Sequence, residues 1–224
     1  MQTLPQTLRK HWLWIIVNLG AITPLLLLIW NFYTDNLSAD PVAYVTTKTG
    51  QAAIMILGLS LACTPINTVF GFRQVLTVRK SLGLYAFLYA ALHLLTFVGL
   101  DYGFSLKYIL ADALLEKPYI IVGLAAFLIL VPLAITSTKG WMKRLGRNWK
   151  RLHQLVYGAG VLAVLHYVWL VKLDLLWPII YGSILALLLL LRVPRVRKWA
   201  ASFQKKAPSK APNVSQRKSK PMIA

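Results

Sequence analysis

Long apolar stretches separated by short polar segments dominate the pattern of this chain. Six of them reach or approach the ~20 residues that a helix needs to cross a hydrocarbon core of ~30 Å. These predicted spans are Leu13 to Tyr33, Gln51 to Phe70, Ser81 to Leu100, Tyr119 to Ser137, His153 to Val171 and Leu175 to Arg192. The pattern predicts an all-α membrane protein, a bundle of six transmembrane helices, with outer loops near residues 34–50 and 101–118.

Composition supports a membrane protein and limits the number of domains. Of the 224 residues, 58% are hydrophobic and only 14% are charged, against roughly 25% in soluble domains. Residues 1–200 are predicted to form one transmembrane domain, and residues 201–224 a basic cytoplasmic tail whose composition is typical of disorder. The chain is predicted to have no internal repeat and, without a Gly-rich phosphate loop, no nucleotide-binding domain of its own.

The net charge of +19 is distributed unevenly between alternate loops. The N-terminal segment contains 2 Lys or Arg residues, residues 73–80 contain 3, residues 139–151 contain 6, and the chain from Arg192 onward contains 10. The other loops hold 4 cations and all 6 acids. The positive-inside rule therefore predicts that both termini are cytoplasmic. The basic charge is interpreted as topology and attraction to anionic membrane lipid, and not as a nucleic-acid-binding surface.

Three histidines lie in the predicted bundle, where an unpaired imidazole is costly and indicates function. His93 follows Ser81 by 12 residues and His166 follows His153 by 13, so at ~1.5 Å per residue both lie about 18 to 20 Å from the cytoplasmic start of their helices. Two imidazoles at one depth are typical of axial ligation of a heme iron from both sides. Histidines that only pack remain the alternative, and zinc or copper would need further ligands.

His153 is less easily assigned. It lies at the cytoplasmic boundary, and 13 residues at about 100° each leave it roughly 140° around the helix from His166. A second heme near this end would need a partner close to Arg79 or Lys80, where there is no histidine. One heme is therefore the better prediction, with a second left open. A donor-side site for flavin or quinone is the hypothesis for His153.

Two segments carry a resemblance to a known family. They are VRKSLGLYAFLYAALHLLTF (78–97) and TSTKGWMKRLGRNWKRLHQLVYGAGVLAVLHYVWLVK (136–172). The chain resembles the heme-binding membrane subunits of periplasmic methionine sulfoxide reductase systems, the MsrQ or YedZ family of the ferric-reductase-like transmembrane superfamily. On this resemblance the family's helix-three histidine falls on His93, and its helix-five pair falls on His153 and His166.

The resemblance implies a multi-pass cytochrome of the bacterial inner membrane that contains heme b, with FMN as a further cofactor left open. Electrons would pass from quinol or a cytoplasmic flavin reductase to a periplasmic molybdopterin-containing methionine sulfoxide reductase. The chain itself would hold no catalytic residue, because that partner reduces the substrate. A ferric or quinone reductase with the same heme relay is one alternative. A small transporter that uses its histidines to relay protons is another.

Overall fold

The computed structural model describes residues 6–171, 175–196 and 198, and the regular structure within these ranges is helical. The helices are α1 (Gln6–Tyr33), α2 (Pro41–Phe70), α3 (Val75–Thr96), α4 (Leu106–Leu115), α5 (Tyr119–Ile135), α6 (Lys139–Leu145), α7 (Arg147–Leu170) and α8 (Leu176–Leu190). A π-helical segment, Phe97–Asp101, continues α3. The all-α prediction is confirmed. The tail predicted for residues 201–224 lies outside the described residues.

Within the described residues, three helices are long and apolar enough to cross a membrane. They are α1 from His11 onward, α2, and α3 together with its π-helical continuation. α5 and α6 qualify as a fourth only as a pair, and they are bent by 96° at the break between them. α8 is apolar but only 15 residues long, and polar residues such as His153, Gln154 and His166 interrupt α7. The count of six spans and their orientation stay predictions.

The outside of the bundle is covered by large apolar side chains. In α1, Trp30, Phe32 and Leu19 are 66%, 65% and 61% exposed. Soluble monomers rarely carry such wide apolar surfaces. In hydrocarbon they are favourable, because a helix satisfies its own backbone polar groups and presents only its side chains to lipid. The chain is a membrane protein.

α2 begins well before the apolar run that predicts it. Its first residue is Pro41, where the pattern predicts a start at Gln51, and the Asp40 side chain caps it by accepting a hydrogen bond of 3.0 Å from the backbone N–H of Ala43. The predicted outer loop of residues 34–50 is therefore wrong from Pro41 onward. The second predicted outer loop is also partly helical, because it contains α4. In the first case, an aspartate cap and a proline at the helix start favour helix despite the polar composition.

Two helix pairs form the centre of the bundle. α2 packs most extensively against α3, and α5 against α7. The buried core lies mainly between α2 and α3, with additions from the other helices; it includes Ala52, Ile56, Leu57, Leu61, Val78, Leu82, Ala86, Leu130, Ala159 and Leu185. α7 approaches α8 closely at Gly160, where an added Cβ would lie 3.3 Å from Leu185. This packing fixes the relative positions of α3 and α7, which carry the histidines.

A buried tyrosine joins α1 to α3. The Tyr89 side chain is fully buried, and its hydroxyl donates to the carbonyl oxygen of Ala21 at 2.8 Å and accepts from the backbone N–H of Leu25 at 3.1 Å. In a regular helix that N–H would bond directly to that carbonyl, four residues earlier. The hydroxyl is therefore inserted into the hydrogen-bond ladder of α1, next to Pro24, which lies inside the helix. The insertion ties α1 to a point one turn before His93.

Candidate functional site

Two histidine side chains face each other between α3 and α7. The ring centroids of His93 and His166 are 6.2 Å apart, and their planes meet at 81°. The two histidines, which the sequence predicts to lie at the same depth, are therefore direct neighbours in the structure. A metal–imidazole bond of about 2 Å on each side, with each centroid about 1 Å behind its nitrogen, places two axial imidazoles about 6 Å apart. The spacing suits two rings that share one metal ion.

Hydrogen bonds fix the protonation of both rings. Nδ1 of His93 lies 2.8 Å from the carbonyl oxygen of Thr46, and Nδ1 of His166 lies 2.8 Å from the carbonyl oxygen of Tyr119. A carbonyl oxygen only accepts, so each Nδ1 carries the proton and donates it. Nε2 of each neutral ring then keeps its lone pair. Metal-bound histidines usually donate a hydrogen bond from their other ring nitrogen, as Nδ1 does here. That hydrogen bond orients the ring and raises its basicity.

A glycine stands beside each imidazole. A Cβ added to Gly50 would lie 3.0 Å from Nδ1 of His93, and one added to Gly123 would lie 2.8 Å from Nδ1 of His166. Both distances are shorter than ordinary van der Waals contact. Each ring therefore packs directly against the backbone of the neighbouring helix, α2 in one case and α5 in the other.

The donor set fits a heme better than a bare metal ion. Within the described residues, no group of three His, Cys, Asp or Glu side chains is arranged to hold a metal. A metal bound between His93 and His166 would have to bring its other ligands with it, as the iron of heme does with its porphyrin nitrogens. The two oriented rings would then supply the axial ligands alone. The free thiol of Cys63 is buried in α2 and bonds to the carbonyl of Leu59.

His153 lies away from this pair, as the sequence predicts. Its position 13 residues before His166 on α7 places it about 20 Å away along the helix. Its ring stacks on Trp149 with centroids 4.0 Å apart, and its Nδ1 lies 3.1 Å from the carbonyl oxygen of the same residue. Its Nε2 is buried and has no hydrogen-bond partner among the described residues. Trp149 is itself held in place, because its indole N–H donates to the carbonyl of Thr136 at 2.9 Å.

Two arginines accompany His153 at this end of the bundle. Arg79 donates to the hydroxyl of Thr64 at 3.2 Å, while Arg192 donates to the hydroxyl of Tyr157 and, at 2.6 Å, to the carbonyl of Leu61. The Arg192 guanidinium also lies over the Tyr157 ring, 4.7 Å from its centroid. In the described part of the chain, no carboxylate pairs with either arginine. The end that contains His153 therefore carries positive charges that no carboxylate neutralises in the described part of the chain, and the buried Nε of Arg192 has no hydrogen-bond partner there.

At the opposite end of the bundle a lysine and an aspartate form an ion pair. Lys117 donates to Asp112 at 2.8 Å and to the hydroxyl of Tyr102 at 3.2 Å, and that hydroxyl donates to the same carboxylate oxygen at 2.5 Å. The hydrogen bonds from Lys117 and then Tyr102 lower the pKa of Asp112 below its usual value, and those with Asp112 and Tyr102 raise the pKa of Lys117. The cluster ties α4 to the start of α5.

Sequence reasoning found the three histidines and missed the residues that orient them. Thr46 and Gly50 fall in a segment that was predicted to be a loop, and the carbonyl of Tyr119 is a backbone group that no side-chain motif marks. The signal that was available for α2 is the Asp-Pro pair at residues 40 and 41, a common helix start. The sequence does not predict the hydrogen bonds of Arg192, because the positive-inside rule already explains a cation at the end of a membrane helix.

Known proteins are similar to this chain over most of its length. Residues 49–164 match the family described as ferric reductase like transmembrane component, a range that includes His93 and His153 and ends just before His166. A protein of Xanthomonas axonopodis pv. citri, named protein-methionine-sulfoxide reductase heme-binding subunit MsrQ, is 48% identical over 185 residues, which are 80% of this chain and 84% of that protein. A protein of the same name from Rhodospirillum rubrum is 47% identical over 179 residues, 78% of this chain and 86% of that protein.

Proposed function

Since the chain belongs to the MsrQ family of heme-binding subunits, within the ferric-reductase-like transmembrane proteins, we propose that it is a b-type cytochrome that passes electrons across the bacterial inner membrane. The acceptor is a periplasmic molybdopterin-containing methionine sulfoxide reductase. The observation that carries the proposal is the pair of imidazoles, 6.2 Å apart, each with its Nδ1 proton held by a backbone carbonyl.

In this proposal the imidazoles of His93 and His166 would hold heme b between α3 and α7. A bound heme supplies reversible one-electron oxidation and reduction of its iron. The carbonyls of Thr46 and Tyr119 hold the rings in one tautomer and one orientation, so the same two nitrogens serve both oxidation states. Both imidazoles would be used to hold the heme, which would leave substrate no binding position on its iron. The residues therefore support electron relay, and methionine sulfoxide is reduced by the partner.

The proposed direction of electron flow follows from the two ends of the bundle. With six spans and both termini in the cytoplasm, as the positive-inside rule predicts, the imidazole pair lies toward the periplasm, near the ends of α3 and α7. His153, Arg79 and Arg192 then lie toward the cytoplasm. The unpartnered Nε2 of His153 suits a hydrogen bond to a flavin or a quinone, and the arginines suit an anionic group. This end is the proposed donor site for quinol, or for a cytoplasmic flavin reductase with FMN.

The division of the chain is part of the same proposal. Residues 1–200 form the heme-binding membrane domain. Residues 201–224, which lie outside the described residues, form a cytoplasmic tail whose cations are attracted to anionic lipid.

The experiment that tests the proposal is a dithionite-reduced minus oxidised visible spectrum of the purified protein, with heme quantified per chain. His93→Ala and His166→Ala should each abolish the b-type bands. His11→Ala, which changes an exposed histidine of α1, is the matched control and should retain them. Circular dichroism and gel filtration check that each variant keeps its helices. Absence of heme from wild-type protein expressed with ample heme would refute the proposal.

The acceptor is tested separately from the cofactor. Reduced protein should be reoxidised by methionine sulfoxide only when the molybdopterin partner is added. Direct reoxidation by ferric chelates or quinones at a faster rate, with no effect of the partner, would instead identify a ferric or quinone reductase.

A further inference from the structure

The two halves of the site follow one sequence repeat. Adding 73 to the residue numbers of Thr46, Gly50 and His93 gives those of Tyr119, Gly123 and His166. In both halves the carbonyl and the imidazole that bonds to it are 47 residues apart. The prediction that the chain has no internal repeat is therefore wrong, and α2 with α3 corresponds to α5 with α7.

The repeat is visible in the sequence once its period is known. Residues 50–57 read GQAAIMIL and residues 123–130 read GLAAFLIL, with five of eight positions identical. Residues 90–93 read AALH and residues 163–166 read AVLH, with three of four identical. Intervening residues differ widely, which is why the similarity is hard to find without the structure.

The repeated geometry has a specific physical requirement. In an α-helix the carbonyl of residue i faces residue i+4, whose N–H uses one of its two lone pairs. An imidazole on a neighbouring helix can use the second lone pair only if it approaches beside residue i+4. In this protein residue i+4 is Gly50 for the carbonyl of Thr46 and Gly123 for that of Tyr119. A side chain at either position would stand where the ring lies, because its Cβ would be 3.0 or 2.8 Å from Nδ1.

We infer that Gly50 and Gly123 are positioning residues that admit the imidazoles of His93 and His166 to the carbonyls of Thr46 and Tyr119 and so orient both axial ligands. The inference rests on the proposed heme function. Each half of the repeat contains one such unit, which consists of a backbone carbonyl, a glycine four residues later and a histidine on the partner helix. Each unit orients one of the two imidazoles.

The alternative is that these glycines only allow helices to pack closely. One feature argues against it. The atoms that an added Cβ would meet most closely belong in both cases to the histidine ring, namely Nδ1, Cε1 and Cγ in the same order of distance.

The test is to substitute alanine at Gly50 and at Gly123 in the full-length protein and to measure heme per chain, the electron paramagnetic resonance spectrum of the oxidised form and the midpoint potential. The matched controls are Gly58→Ala in α2 and Gly158→Ala in α7, where an added Cβ meets nothing within 4 Å. Loss of a hydrogen bond to a ligating histidine typically weakens metal binding about 10- to 100-fold, and a loss of this size in heme retention is expected. Gly123→Ala should be the more severe, because its contact is the closer.

Each result decides for or against the inference. Reduced heme retention with altered low-spin signals and a shifted potential in both variants, but in neither control, supports it. Thermal unfolding of heme-free proteins separates positioning from packing: Gly50→Ala added to His93→Ala, and Gly123→Ala added to His166→Ala, should unfold like the parent histidine variants, because the ring that the added Cβ meets is then gone. If these double variants unfold at markedly lower temperature than their parents, or if the single glycine variants bind heme with an unchanged spectrum and potential, the inference is overturned. Absence of heme from the wild type would refute the proposed function itself.

Discussion

Tyr89→Phe is the variant that best isolates one contact in this fold. It removes only the hydroxyl that is inserted between the N–H of Leu25 and the carbonyl of Ala21, and it keeps the buried ring. The variant loses two hydrogen bonds in a fully buried site. Net contributions of about 1 kcal/mol each in soluble proteins, and about 0.6 kcal/mol between membrane helices, predict a destabilisation of about 1 to 2 kcal/mol.

Equilibrium unfolding of the detergent-solubilised protein in increasing dodecyl sulfate measures this difference. Tyr85→Phe is the matched control, because Tyr85 lies one turn earlier on α3 and its hydroxyl has no hydrogen bond among the described residues; it should change stability little. A loss below about 0.5 kcal/mol in Tyr89→Phe would mean that α1 closes its own ladder without the hydroxyl. The insertion would then be a consequence of packing and not a tie between α1 and α3.

Three further predictions concern the two ends of the bundle. Arg192→Gln should lower the free energy of unfolding by about 1 to 3 kcal/mol, because its hydrogen bonds are charge-assisted, whereas the same change at the exposed Arg195 should have little effect in the same assay. Asp112→Asn should lower the melting temperature at pH 7. The pKa of Asp112 is lowered by its hydrogen bonds, so the stability that it contributes is present above its usual pKa of about 4 and is lost as the pH falls through the lowered pKa. A difference from wild type that does not shrink as the pH falls below about 4 would contradict the reasoning. His153→Ala should retain heme that dithionite reduces while slowing reduction by quinol or flavin reductase in stopped-flow absorbance, and equal slowing with dithionite would place His153 at the heme instead.

The imidazole pair could be predicted because helix geometry is nearly constant. A rise of ~1.5 Å per residue converts sequence position into depth, and two histidines counted from equivalent helix starts therefore reach the same level. Errors in the helix starts largely cancel, since α3 and α7 both begin six residues before the predicted positions, at Val75 and Arg147. Their partners could not be found in this way. A backbone carbonyl has no sequence signature, and a glycine is informative only when its neighbour on another helix is known.

The start of α2 was missed for a different reason. Residues 46–51 read TTKTGQ, a polar composition that is typical of a loop. In the structure Thr49 is buried and satisfies its hydroxyl with the carbonyl of Val45 at 2.8 Å, so the polar side chain costs little inside the bundle. Thr46 contributes its carbonyl to His93. The segment is therefore polar in sequence but helical and partly buried in the structure, and hydropathy alone cannot distinguish such a segment from a loop exposed to water.

The repeat also explains why the two ends of the bundle differ. Subtracting 73 from the numbers of His153 and Trp149 gives Lys80 and Leu76, which are both exposed. The end that holds His93 and His166 therefore receives the same unit twice and presents two equivalent imidazoles. At the opposite end of the bundle, one half of the repeat contributes His153, which stacks on Trp149, and the other half contributes Lys80. Equivalent ligands suit a metal that must keep its geometry while its charge changes. The unequal end offers one imidazole with cations and cannot repeat that arrangement; in the proposed function it would therefore meet the electron donor through different chemistry.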